Sequence, residues 1–187
     1  MLNMRNYLGE LAAILARIDP SAVEAATRVL VDAYDRDATI FVIGNGGSAS
    51  TASHFALDLA KNPLRSPDQR PPRCVALTDN VAALTAWAND TSYDRVFEAQ
   101  LMFLWRPGDV LVAISGSGNS PNVVRAVRWA NEHGGTTVGL LGRGGGECAF
   151  LCHAPVVIPD MDYGHVETAH LAVCHYWVDH FKAYLKV

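Results

Sequence analysis

Continuous apolar runs alternate with amphipathic stretches along this chain. Asn3 to Arg17 places Leu8, Leu11, Ile14 and Leu15 at helical spacing. Asp19-Pro20 reads as an N-cap and first-turn proline for a second helix through about Tyr34. Thr39-Ile40-Phe41-Val42-Ile43 is an unbroken apolar run of strand length, followed by a helix from about Ser48 to Lys61. A loop rich in proline and arginine, Asn62 to Arg73, leads to a short strand, Cys74 to Leu77, and to helical segments around 80–88 and 93–104. The apolar run 110–114 predicts a strand that feeds a helix at 121–133, ended by Gly134-Gly135. Thr136 to Leu141 is the next strand, followed by Gly142-Arg143-Gly144-Gly145-Gly146 and a short helix near 146–152. Pro155 to Ile158 reads as the last strand, and Val166 to Leu185 as a long closing helix.

Strands that alternate with helices, and that are apolar throughout, predict a parallel sheet covered on both faces, hence an α/β/α three-layer sandwich. Ligands of such sheets sit beyond the carboxyl ends of the strands. The first two helices, within residues 1–36, precede the sheet and have no crossover to make. Their expected task is packing against the domain or against another subunit. At 187 residues, half of them hydrophobic, the chain is expected to form a single domain over 1–187, with its α/β core at 37–187.

The net charge of −4 and the pI near 5.9 argue against nucleic acid as a partner, and no face gathers lysines and arginines. No apolar stretch reaches the roughly 18 residues that span a bilayer, and the amino terminus lacks a signal pattern. No membrane association and a cytoplasmic location are therefore expected. The cysteines, Cys74, Cys148, Cys152 and Cys174, lack disulfide-dense spacing and fit a reducing compartment. Cys148 and Cys152 beside His153 could be drawn as metal ligands; small buried hydrophobes are the preferred reading.

Two segments carry candidate chemistry at strand ends. Gly44-Asn45-Gly46-Gly47-Ser48 follows the first strand, and Ser115-Gly116-Ser117-Gly118-Asn119-Ser120-Pro121 follows the third. Glycines let the backbone approach a ligand, and the helix beyond aims free N–H groups and its positive dipole end at it. Two such turns in one small domain suggest a phosphorylated ligand held by hydroxyls and main-chain amides. His54 and Asp58 share a face of the helix that starts at the first turn. Histidines also cluster in the closing helix, where Glu167 and His170 share a face. Glu167 and His175 lie about 80° apart around that helix and roughly 12 Å apart along it. That separation is awkward for one ion held by one chain. Residues contributed across a subunit interface relieve it, so an isolated monomer is expected to be inactive.

Taken together, Gly44 through Ser48 with His54 downstream, Asn89-Asp90 followed by Tyr93-Asp94, Ser115 through Ser120, and the late acid-x-x-His-x-x-x-x-His pattern resemble the sugar isomerase (SIS) domains of the phosphoheptose isomerase family. The resemblance runs from about residue 5 to the end. It implies a five-stranded flavodoxin-like sheet, a homotetramer, and conversion of D-sedoheptulose 7-phosphate to D-glycero-D-manno-heptose 7-phosphate. By motif position, Ser48, Ser115, Ser117 and Ser120 would grip the phosphate, with Gly116 in the same loop. Asn45, Gly46 and Gly47 would line the sugar, with Asn89 and Asp90 nearby. His54, Asp58, Glu167 and His175 fall where the family keeps a zinc site and its acid–base pair. The chain departs from the family pattern at Asp58 (usually Glu), Glu167 (usually Gln), Gly116 (commonly Thr) and His165 (commonly Arg). These read as a subfamily signature. A ketose–aldose isomerase works through an enediol, which needs a base, here Asp58, and an acid, here His175. A divalent ion, best matched by Zn2+, would offset the two converging carboxylates. Two alternatives stand beside this reading: an isomerase of another phosphosugar, and a non-catalytic phosphosugar-binding protein of the kind that associates with a bacterial replication initiator.

Overall fold

The computed structural model describes residues 3–185. Five strands, β1 (Thr39–Gly44), β2 (Arg73–Ala76), β3 (Val110–Ser115), β4 (Thr136–Leu141) and β5 (Ala154–Val157), form one sheet in the order β2-β1-β3-β4-β5. Every neighbouring pair is parallel. Chain order reverses between β1 and β3, whose ends lie side by side, Gly44 opposite Ile114. That reversal is the switch point at which open α/β sheets leave a crevice for ligands.

Burial explains why the strand runs are apolar without alternation. β1 and β3 are buried at all positions. One face of the sheet, with Ile40, Val42, Val112, Ile114 and Leu140, packs under α2 (Pro20–Asp35), α3 (Gly47–Lys61) and α8 (Tyr163–Tyr184). Trp177 and Phe181 of α8 and Phe55 of α3 are fully buried in that layer. The opposite face, with Phe41, Ile43, Leu111, Ala113 and Leu141, packs under α5 (Glu98–Leu104), α6 (Pro121–Glu132) and α7 (Cys148–Leu151). α1 (Met4–Leu15) buries only Ile14 and rests on α8. The second helix therefore belongs to the domain's own outer layer, where Ala26, Leu30 and Ala33 reach zero exposure. α4 (Val81–Asp90) buries none of its residues in this chain.

Element boundaries depart from the sequence pattern in two places. The segment expected as one helix over 93–104 splits into a 3-10 turn, Tyr93–Arg95, and α5. The break lets Val96 and Phe97 turn into the core. α8 begins at Tyr163, three residues before the expected Val166, because the Asp162 carboxylate accepts from the Gly164 and His165 N–H groups and caps the helix there. Among the described residues no helix is long and apolar enough to cross a membrane.

Candidate active site

Both glycine–serine turns lie at the switch point, and each has glycines whose close contacts leave no room for a side chain. A Cβ on Gly44 would stand 2.6 Å from the Ser48 carbonyl oxygen, so the tight passage from β1 into α3 requires glycine. Gly46 caps α3 at φ 56 with no side chain closing the cap. After β3, the Ser115 hydroxyl accepts from the Gly118 N–H at 3.0 Å and the Ser117 hydroxyl from the Asn119 N–H at 3.3 Å. Both hydroxyls keep their own protons for another acceptor. Ser120 is the N-cap of α6, and its side chain makes no cap bond. The result is a cleft of about 150 Å³ lined by Asn45, Ser48, Ile114, Ser115, Gly116, Ser117, Ser120, Tyr163 and Glu167. Two helix amino termini open on it, an arrangement that favours an anion.

A second glycine loop fixes the shape of the first. A Cβ on Gly118, at φ 64, would fall 1.9 Å from the Gly145 carbonyl oxygen, and one on Gly146 would fall 2.4 Å from the Ser117 carbonyl oxygen. The loop 142–146 thus interlocks with the serine loop. Asn119 ties the two together, its side-chain oxygen accepting from the Glu147 N–H at 2.8 Å.

Asn122 is a residue that sequence reasoning missed. It is buried, and its amide exchanges two hydrogen bonds with that of Asn45, each 2.8 Å. The Tyr93 hydroxyl also donates to Asn45 at 3.1 Å. These contacts join the turn after β1, the start of α6 and the 3-10 turn. Their partners lie 77 and 48 residues apart in sequence, so no local signal announces them.

Beyond the cleft, α3 and α8 pack together and bring His54, Asp58 and His175 into one cluster. Asp58 sits between the two imidazoles, its carboxylate 3.2 Å from His54 Nε2 and 3.8 Å from His175 Nε2. The rings meet edge to face, centroids 5.2 Å apart. One ligand atom from each lies within 4.8 Å of the others. Two imidazole nitrogens and a carboxylate oxygen at that spacing suit a divalent ion of the zinc type, whose bonds run near 2.0–2.2 Å.

Glu167 does not join this trio within one chain. It lines the serine cleft instead, with its carboxylate packed over Gly47 at the start of α3. Gly46, the N-cap of α3, and Gly47, its first residue, are not among the residues that line the cleft. Asn89 and Asp90 close the exposed end of α4, bonded to each other at 2.9 Å, and do not form part of that wall. His170 is wholly buried, both ring nitrogens unpartnered, and burial pushes its pKa down to about 4. It is a core residue. Cys148 and Cys152 are buried, and burial pushes their thiols up to about 11 and about 12. His153 Nδ1 lies 2.9 Å from the Thr137 hydroxyl. Among the described residues, the His54, Asp58 and His175 cluster is the one group of metal-ligating side chains with ligand spacing.

The SIS domain pattern matches residues 6–142 of this chain. The chain is 43% identical over 166 residues to the phosphoheptose isomerase of Nitratidesulfovibrio vulgaris, covering 85% of this chain and 76% of that one. It is 36% identical over 177 residues to the phosphoheptose isomerase of Trichlorobacter lovleyi, covering 94% and 88%. The solved phosphoheptose isomerase of Neisseria gonorrhoeae superposes with a TM-score of 0.86 at 32% identity, covering 96% of each chain.

Proposed function

We infer that this chain, which belongs to the SIS-domain family and to its phosphoheptose isomerases, interconverts D-sedoheptulose 7-phosphate and D-glycero-D-manno-heptose 7-phosphate. The observation that carries the inference is the pairing of an anion cleft at the switch point with an acid–imidazole cluster on the adjoining helices. The cleft supplies Ser48, Ser115, Ser117, Ser120 and two helix amino termini to a terminal phosphate. It orients the sugar without taking part in bond changes.

Asp58 takes the proton from C1 of the ketose, and the electron pair left behind forms the C1–C2 double bond of an enediol. His175 hands a proton to the carbonyl oxygen as that bond forms. Return of a proton to C2, with loss of the C1 hydroxyl proton, completes the aldose. His54, at 3.2 Å, holds the Asp58 carboxylate in line. His54, Asp58 and His175 would hold a divalent ion, best matched by Zn2+, which when bound would supply positive charge beside the sugar's oxygens.

The fourth expected ligand, Glu167, lies two helical turns from His175 on α8. Within one chain it faces the serine cleft and not the cluster. We therefore propose a homotetramer with sites at subunit interfaces. α4, which buries none of its residues in this chain and exposes Val81, supports that reading. The testing experiment incubates the pure protein with sedoheptulose 7-phosphate and follows the aldose, with and without chelator. Formation of the heptose supports the assignment, and an inert protein under both conditions contradicts it.

A further inference from the structure

We propose that Tyr163, seated on Gly116 and backed by Arg143, is a ligand-binding wall at the phosphate end of the serine cleft. The inference rests on the phosphosugar reading above. Tyr163 opens α8 and lines the cleft, yet it stays 49% exposed. Its ring occupies the space where a side chain at 116 would stand: a Cβ on Gly116 would meet Tyr163 Cε1 at 2.8 Å and Cδ1 at 2.9 Å. Glycine at 116 and tyrosine at 163 are therefore a matched pair, one vacating the volume that the other fills.

Arg143 provides the second, independent observation. Its guanidinium stands 4.7 Å from the centroid of the Tyr163 ring. It holds a left-handed backbone, φ 52, inside a loop whose other members are all glycine. Glycine would adopt that backbone without strain, so the side chain is kept against the local preference. From behind the ring, outside the lining itself, the guanidinium lends positive potential to a cleft whose charged lining residue is Glu167. The chemistry suits a phosphomonoester dianion with the C–H face of its adjoining carbons laid on the ring.

The test titrates inorganic phosphate into the wild-type protein and into Y163A, G116T, the double variant Y163A/G116T and R143G. It also measures KM and kcat for sedoheptulose 7-phosphate on each. Y163A is expected to weaken phosphate binding about tenfold and to raise KM by a larger factor than kcat falls. G116T does the same, because its side chain lands on the ring. The double variant recovers to within about threefold of wild type, the threonine taking the vacated space. R143G, which relieves the left-handed backbone and so remains folded, weakens phosphate about threefold. Unchanged phosphate binding in Y163A and R143G, or a double variant as weak as the product of the singles, overturns the proposal. A wild-type protein that binds phosphate in this pattern but leaves sedoheptulose 7-phosphate unchanged refutes the activity and keeps the wall.

Discussion

Asn45 and Asn122 hold each other by a reciprocal pair of amide hydrogen bonds, each 2.8 Å, beyond the carboxyl ends of the paired strands β1 and β3. The pair makes the two glycine–serine turns a single unit, because Asn45 belongs to one and Asn122 to the helix that leaves the other. Asn122→Ala strands the Asn45 amide and is expected to cost about 1–3 kcal/mol of stability. In a double-mutant cycle with Asn45→Ala, denaturant unfolding should give a coupling energy of about 1–2 kcal/mol. Strict additivity would mean that the two side chains do not act as a pair.

Interlocking glycines make a second prediction. Gly118→Ala places a methyl group on the Gly145 carbonyl and forces a left-handed backbone on alanine. A loss of about 2 kcal/mol or more in unfolding free energy is expected, with weaker inorganic phosphate binding. Gly144→Ala, at the same kind of φ but with open space around it, should lose less stability and keep phosphate binding.

On the proposed mechanism, chemistry at the cluster depends on Asp58 and His175. Asp58→Asn keeps the shape and removes the base, so turnover should fall roughly 100- to 10,000-fold while the folded state persists. Steady-state kinetics with circular dichroism on the same sample checks both halves. Zinc titration followed by calorimetry should find binding lost in Asp58→Asn and in His175→Ala, since each removes a donor of the trio.

A site shared between subunits makes a prediction that no single-chain site can match. Glu167→Ala and Asp58→Asn proteins should each be inactive alone. Co-refolded, they form interfaces that pair an intact Glu167 with an intact Asp58, and about a quarter of wild-type activity should return, as random assortment of two subunit types at one interface gives. Mixed oligomers that stay inactive would place all four groups within one chain's site.

His170 sets a pH dependence of stability. Its folded pKa, pushed down from 6.5 to about 4 by burial, means that the unfolded chain takes up a proton over a range where the folded chain does not. The contribution is therefore fully present above about pH 6.5 and is lost as pH falls toward 4. The full loss is on the order of 3 kcal/mol. Urea unfolding at pH 7 and pH 5 should show the drop in the wild type and a smaller one in His170→Leu.

Much of this architecture is legible in the sequence because it is local. Unbroken apolar runs ending in glycine and serine mark β1 and β3 and the turns that follow them. His54 and Asp58 fall four apart on one helix, so their meeting needs no tertiary knowledge. What escapes is long-range. Asn122 sits one residue after a helix-opening proline and looks like any first-turn polar residue until Asn45 arrives from 77 positions away. Nothing local in the sequence places the Tyr163 ring against Gly116, 47 positions earlier. Glu167 carries the right chemistry for the metal cluster, but the rise of α8 sends it to the cleft in its own chain. The split of 93–104 follows from the burial of Val96 and Phe97, which helical periodicity alone does not foresee.

The most direct test is a crystal of this protein soaked with sedoheptulose 7-phosphate. The phosphate should rest among Ser48, Ser115, Ser117 and Ser120, with the first two carbons of the sugar turned toward Asp58 and His175. A phosphate bound anywhere else on the molecule, with the serine cleft filled only by solvent, would contradict the account.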